Sequence, residues 1–202
     1  MVLAAGGGVR LGSPKALLRR DGELLVERAV ATAREAGCAP VVVVLGASAD
    51  QVIEQARLDD ATVVVNKAWA TGMGSSLRTG LQALDGSGAD AAVVLLVDMP
   101  GITAQAIRRV AALPYPGALV VATYEGRRGH PILIGSGHWS GVATLARSDV
   151  GARPYLLAHK GEVMEVGCDG VADNGDIDTP EDAVRWGVEI PGEVATQATL
   201  ES

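Results

Sequence analysis

The first fifteen residues constrain the chain most. Met1 to Ala5 is an apolar run that reads as a strand, and it opens directly into Gly6-Gly7-Gly8-Val9-Arg10-Leu11-Gly12-Ser13-Pro14-Lys15. A strand ending in a glycine-rich loop with two cations is a cradle for phosphate, because glycines let backbone N–H groups converge on an anion with no Cβ in the way. Arg10 offers a planar fork for outer phosphates, and Lys15 offers a movable point charge for the phosphorus that reacts. The pattern points to a nucleoside triphosphate. It is not a Walker A loop, since Lys15 follows Pro14 and precedes Ala16. Nor is it the dinucleotide fingerprint: the third glycine is replaced by Leu11, and the second strand ends in Gly46 rather than an acid for a ribose.

Short aliphatic runs alternate with amphipathic stretches along the 202 residues, the pattern of βαβ units. Strands are expected at Val2–Ala5, Val41–Leu45, Thr62–Val65, Ala91–Val97, Leu119–Tyr124 and Pro131–Ile134. Helices are expected at Leu25–Ala36, Asp50–Ala56, Ser75–Leu84, Thr103–Ala112, His138–Ala146, Arg153–His159 and Thr179–Trp186. The chain is 48% hydrophobic but 3% aromatic with no Phe, so its core must be aliphatic, which suits a parallel sheet buried on both faces. These features predict an α/β, Rossmann-like, mixed and mostly parallel sheet flanked by helices, with one domain over residues 1–190 and a tail over 191–202. Right-handed crossovers place the first strand in the sheet interior and bring Gly6, Asp98 and the loop after Val65 to one rim. The first strand starts abruptly for a central one, which is compatible with a start upstream of Met1.

The net charge of −7 argues against a nucleic-acid partner. Cys38 and Cys168 lie far apart and lack a CxxC partner, so neither a disulfide framework nor a zinc site is expected. No apolar run approaches the ~20 residues of a membrane span, and no leader precedes the first strand. A cytoplasmic protein without a membrane partner is expected. Arg19 and Arg20 read as a solvated basic turn.

Three further segments carry chemistry. Ala91 to Val97 ends in Asp98-Met99-Pro100, a carboxylate at the carboxyl end of a central strand, where beside a triphosphate its natural work is to hold Mg²⁺. A turn aspartate is the alternative. In Asn66 to Gly80, Gly72 and Gly74 permit close approach to a flat ring, while Ser75 and Ser76 can cap a helix and bond a base edge. Arg78 can face the site or solvent. In Gly126 to Pro131, His130 is placed rigidly between Gly129 and Pro131, and Arg127 and Arg128 complement a second, phosphorylated substrate. Asp178 or Thr179 is placed to cap the last helix, with Pro180 near its first position. Trp69, Trp139 and Trp186 read as packing residues.

The motifs LAAGGGVRLGSPK, NKAWATGMGSSLRTG, LVDMPG, RGHP and DIDTPED, in this order, closely resemble nucleotidyltransferases of the sugar-nucleotide and molybdenum-cofactor type, nearest to molybdenum cofactor cytidylyltransferases. The resemblance runs from Val2 to about Trp186. It implies transfer of CMP from CTP to a phosphorylated acceptor, molybdopterin, with Mg²⁺ as cofactor, release of pyrophosphate and a client molybdoenzyme. It implies Arg10, Lys15 and Asp98 as catalytic residues, and Asp178 as a second metal ligand beside Asp98. Leu3, Ala4, Ala5, Gly6, Gly7, Gly8, Gly74, Ser75 and Ser76 would hold the nucleotide. His130, Arg128 and Arg153 would serve the acceptor. Two alternatives stay open: an NAD(P)H-dependent oxidoreductase of the nicotine blue type on the same scaffold, and a non-catalytic cofactor carrier.

Overall fold

A computed structural model describes residues 1–191. Its elements in chain order are β1 (Val2–Ala4), β2 (Arg19–Arg20), β3 (Glu23–Leu24), α1 (Leu25–Glu35), β4 (Val42–Leu45), α2 (Ala49–Gln55), β5 (Thr62–Val65), α3 (Met73–Leu84), β6 (Ala91–Leu96), α4 (Ala104–Val110), β7 (Leu119–Tyr124), β8 (Arg127–Gly135), α5 (Trp139–Leu145), α6 (Arg153–Ala158), β9 (Met164–Gly167), α7 (Pro180–Trp186) and β10 (Val188–Glu189). Past Pro191, the expected tail lies outside the described residues. Among the described residues no helix is long and apolar enough to cross a membrane.

Seven strands form one sheet in the order β5-β4-β1-β6-β8-β7-β9. β8 alone runs against the rest, pairing antiparallel with both β6 and β7. β1 lies inside, with Val2 opposite Val43 on one side and Leu95 on the other. The period of two along each strand divides the aliphatic residues between two cores. Val2, Ala4, Val43, Leu45, Val93 and Leu95 pack with Leu25, Val26 and Val30 of α1 and Ala106, Ile107 and Val110 of α4. Leu3, Val42, Val44, Ala92 and Val94 pack with Leu77, Leu81 and Leu84 of α3, Val142 of α5 and Leu156 of α6. Helices thus cover both faces, and the sheet is the mixed, mostly parallel one expected.

The structure corrects several local expectations. Arg19 and Arg20 are not a bare turn but β2, the middle strand of a small antiparallel sheet with β3 and β10. β8 begins at Arg127, four residues before the expected Pro131, because its polar half continues the hairpin with β7. Pairing passes from Val121–Ile132 to Ala122–Gly129, so His130 and Pro131 form a bulge. The Met164–Gly167 edge strand was not anticipated; its four residues, Met-Glu-Val-Gly, are mostly exposed and lack the unbroken aliphatic run of the inner strands.

Ile107 is fully buried beneath the central strands. Ile107→Ala removes branched aliphatic volume from a packed interface and is expected to lower unfolding free energy by about 2–5 kcal/mol, measured by urea denaturation. Leu113→Ala, at a side chain 72% exposed, is expected to change it by no more than about 0.5 kcal/mol.

Candidate active site

The site is built where β1 and β6 end side by side. After β1 the chain turns through Gly8, whose φ of 59° and packing both demand glycine: a Cβ there would lie 1.8 Å from the Ser13 carbonyl oxygen. The Gly8 carbonyl accepts from the N–H groups of Leu11 and Gly12, closing the turn and bringing Lys15 back over the strand ends. β6 delivers Asp98. Asp178 arrives from the segment leading into α7, which is tied down by a hydrogen bond of 2.9 Å from the Ile177 N–H to the Asp98 carbonyl.

These pieces meet at one ammonium. Lys15 Nζ lies 2.7 Å from Asp98 Oδ2 and 2.5 Å from Asp178 Oδ1, and Arg10 reaches Asp178 Oδ2 at 2.9 Å. The Lys15 and Asp98 side chains are 15% and 19% exposed, so their charges need each other, whereas Arg10 is 74% exposed and free to move. Burial alone would push the Lys15 ammonium down. The Asp98 charge and the hydrogen bonds to both carboxylates outweigh it and hold the group above its ordinary 10.5. The hydrogen bond from Lys15 holds the Asp178 carboxyl below its ordinary 3.8, against a smaller desolvation effect.

Asp178 is not the helix cap. Thr179 caps α7 by accepting from the Asp182 N–H, and Asp182 returns a bond to the Thr179 N–H, so Asp178 is left to face Lys15. Asp98 and Asp178 suit Mg²⁺ as a donor set: hard oxygens already gathered around a cation, with room for phosphate oxygens and waters to complete the shell. Among the described residues no group of three or more His, Cys, Asp or Glu could hold a metal. Two carboxylates plus substrate oxygens is the usual protein share for this ion.

A cavity of about 410 Å³ opens over these groups, a size suited to a nucleotide. Leu3, Ala5, Gly6, Gly7, Gly8, Arg10, Lys15, Ser76, Asp98 and Asp178 line it. Ala4 does not, since its side chain points into the α1 core. Gly74 and Ser75 are also outside the lining. Gly74 serves packing, because a Cβ there would lie 2.7 Å from the Ala146 carbonyl carbon. Ser75 and Ser76 do not cap α3, which begins at Met73 with Gly72 as its N-terminal boundary. The buried Asn66 amide donates to both hydroxyls, at 2.7 and 3.0 Å. Arg78 is exposed and outside the cavity lining, and it donates to the Ala146 carbonyl. Trp69 packs and also lines the cavity, its ring 3.2 Å from where a Gly7 Cβ would be.

His130, Arg128 and Arg153 lie outside the cavity lining. Desolvation pushes the His130 imidazole down to about 4, with Asp98 pulling the other way, so the ring is neutral near pH 7. Its backbone is pinned: the His130 N–H donates to Asn174 Oδ1 at 2.8 Å, and its carbonyl accepts from the Tyr124 hydroxyl at 2.7 Å. Arg128 is paired with Glu165 at 2.8 Å, and Arg153 is exposed at the start of α6. Asn174 and Asp149, which lines the cavity, were not singled out by sequence reasoning. Neither sits in a pattern with a chemical signature, and their roles come from partners 44 and 76 residues away.

A nucleotide-sized cavity at the carboxyl ends of a mostly parallel sheet, with glycine loop, lysine and paired acids, defines a nucleotidyltransferase-type α/β fold. The MobA-like NTP transferase domain matches residues 1–163, and the chain belongs to that family. It is similar to nicotine blue oxidoreductase of Paenarthrobacter nicotinovorans, 38% identical over 193 residues that span 92% of this chain and 94% of that protein. A probable molybdenum cofactor guanylyltransferase of Opitutus terrae is 38% identical over 103 residues, 51% of this chain and 48% of that one. Among solved structures, an Rv0371c homologue from Mycobacterium sp. strain JC1 matches with TM-score 0.77 and 32% identity over 91% of each chain. Rv0371c of Mycobacterium tuberculosis in complex with manganese matches with TM-score 0.77 and 28% identity, over 92% of this chain and 95% of that one.

The shifts define the pH range of the clamp. Asp178 is depressed, so its contribution is present above 3.8 and is lost as pH falls through the lower folded value. Lys15 is raised, so its contribution is fully present below 10.5 and is lost as pH rises through the higher folded value. The stability difference between the wild type and Lys15→Met, followed by urea denaturation in EDTA, is therefore expected to be flat between these limits and to shrink below pH 3.8. A difference that grows on acidification contradicts the pairing.

Proposed function

We propose that the chain is a nucleotidyltransferase that moves CMP from CTP to a phosphorylated small-molecule acceptor, molybdopterin carrying its metal, with Mg²⁺ and release of pyrophosphate. The observation that carries this reading is the convergence of Arg10, Lys15, Asp98 and Asp178 on the glycine loop in one cavity. The cytosine and molybdopterin assignments lean on the GMGSSLRTG and RGHP segments, and the acceptor is also supported by the name of the Opitutus terrae relative.

An acceptor phosphate oxygen attacks the α-phosphorus of CTP in line, and the bond to pyrophosphate breaks as the new bond forms. Such a reaction needs positioning and charge neutralisation more than covalent help. The Gly6–Gly8 amides and Arg10 hold the outer phosphates. Lys15 exchanges a carboxylate bond for an oxygen on the α-phosphate and stabilises the charge that gathers there. Asp98 and Asp178 would hold Mg²⁺, which would supply neutralisation of phosphate charge. Ser76, on the cavity wall, serves the base. His130, neutral and fixed in its bulge near Asp98, marks the acceptor side. Arg153, and Arg128 once freed from Glu165, would meet the acceptor's phosphate. A client molybdoenzyme would receive the product.

A second reading is favoured by one observation, the 38% identity over nearly the whole chain to a protein named nicotine blue oxidoreductase. On it the same loop would hold a nicotinamide dinucleotide's pyrophosphate. A thermal-shift panel of CTP, GTP, ATP, UTP and NADPH, with and without Mg²⁺, separates the two. Stabilisation by a triphosphate that requires the ion supports transfer, and stabilisation by NADPH alone supports reduction. Lys15→Ala and Asp98→Ala are each expected to cut pyrophosphate release by about 10²–10³-fold while circular dichroism stays native. Full activity in both would overturn the assigned roles.

A further inference from the structure

The loop between α5 and α6 is held in an unfavourable conformation against the cavity wall. Ser148 has a φ of 44°, in the left-handed region that residues with a Cβ rarely occupy. The loop is also pressed onto the start of α3: a Cβ on Gly72 would lie 2.4 Å from the Ser148 carbonyl carbon, and Arg78 grips the Ala146 carbonyl from the other side. Strain of this kind persists where the surroundings over-determine it, and such places cluster at ligand sites.

What the loop delivers is Asp149. Its Oδ1 accepts from the Met73 N–H at 3.2 Å, which fixes the carboxylate's orientation. Its Oδ2 has no partner among the described residues, and the side chain lines the same cavity as Gly72, Met73 and Ser76. Neither Arg10 nor Lys15 pairs with it; both are turned to Asp178 and, for Lys15, Asp98. A carboxylate that repels phosphate and is not spent on a cation can accept from two kinds of donor in a nucleotide cavity, the ribose hydroxyls and an amino group of the base, and only the second distinguishes one nucleotide from another. Bases differ in that respect. Cytosine carries an amino donor where uracil carries a carbonyl acceptor, and adenine differs from hypoxanthine in the same way.

We propose that Asp149 is a specificity-determining residue, its free oxygen selecting a nucleotide whose base presents an amino donor and rejecting the analogue with a carbonyl in that place. The inference rests on the nucleotidyltransferase reading and deepens it. Asp149 is exposed to the open cavity, and a base seated against it with a carbonyl in place of the amino group would set two acceptors against each other, so the wild type is expected to bind CTP at least about tenfold more tightly than UTP, or ATP than ITP if it takes a purine.

The test is calorimetric titration of CTP, UTP, ATP and ITP with Mg²⁺ into wild type, Asp149→Asn and Asp149→Ala. Asparagine keeps an oxygen for the Met73 N–H and offers an N–H to a base carbonyl, so Asp149→Asn is expected to collapse or invert the amino-to-carbonyl ratio, with the carbonyl nucleotide binding better than to the wild type. Asp149→Ala is expected to lose the ratio without that gain. If Asp149 only capped α3, or accepted from the ribose hydroxyls, both nucleotides of a pair would weaken together and the ratio would stand, which overturns the inference while leaving the transferase reading intact. Failure of the wild type to bind any triphosphate overturns the transferase reading and the inference with it.

Discussion

The ammonium of Lys15 ties together stretches of chain that lie 83 and 163 residues apart in sequence. Two carboxylates set this close would repel each other and resist burial; a lysine between them turns a cost into an attachment. That charged group fixes the glycine loop to the end of the central strand and to the approach to the last helix, and the Ile177 N–H to Asp98 carbonyl bond ties the latter two to each other. Because its partners are ionic, the attachment is strong enough to organise the site. It is also exchangeable, since a phosphate or a metal ion can take over either side of it.

The scaffold behind the clamp explains why Asp178 is available. Thr179 and Asp182 satisfy the first turn of α7 between themselves. Ile177, fully buried, anchors the approach in the core, while its N–H holds the Asp98 carbonyl. Asp173 donates its N–H to the Gly101 carbonyl, and the neighbouring Asn174 receives the His130 N–H. One crossing segment therefore carries Asp178, touches Asp98 and holds the bulge that carries the histidine, so displacement of either would be felt by the other.

Much of this was legible in the sequence. Aliphatic runs such as Ala91–Leu96 announce inner strands because both faces are buried, and the glycine-rich run with Arg10 and Lys15 announces a cation-bearing loop at the end of the first strand, where it lines the cavity. The acids were legible as candidates, but which of Asp178 and Thr179 caps α7 was not. Thr179 takes the cap, which is a matter of backbone geometry. The serines misled for a related reason. α3 starts two residues earlier than its polar signal because Asp149, 76 residues away, serves the Met73 N–H, and Asn66 then claims both hydroxyls. The strands β2, β3 and β10 are two residues long, too short for any periodicity to reveal. Edge strand β9 is four mostly exposed residues broken by Glu165 and Gly167, which read as loop.

The central claim is that carboxylates from two distant segments share one divalent cation with a bound triphosphate. Electron paramagnetic resonance titration of Mn²⁺ with CTP present tests it most directly, comparing the wild type with Asp98→Asn and Asp178→Asn. The account predicts nucleotide-dependent Mn²⁺ binding in the wild type that is weakened sharply in each variant. Wild-type affinity for Mn²⁺ in both variants would contradict it.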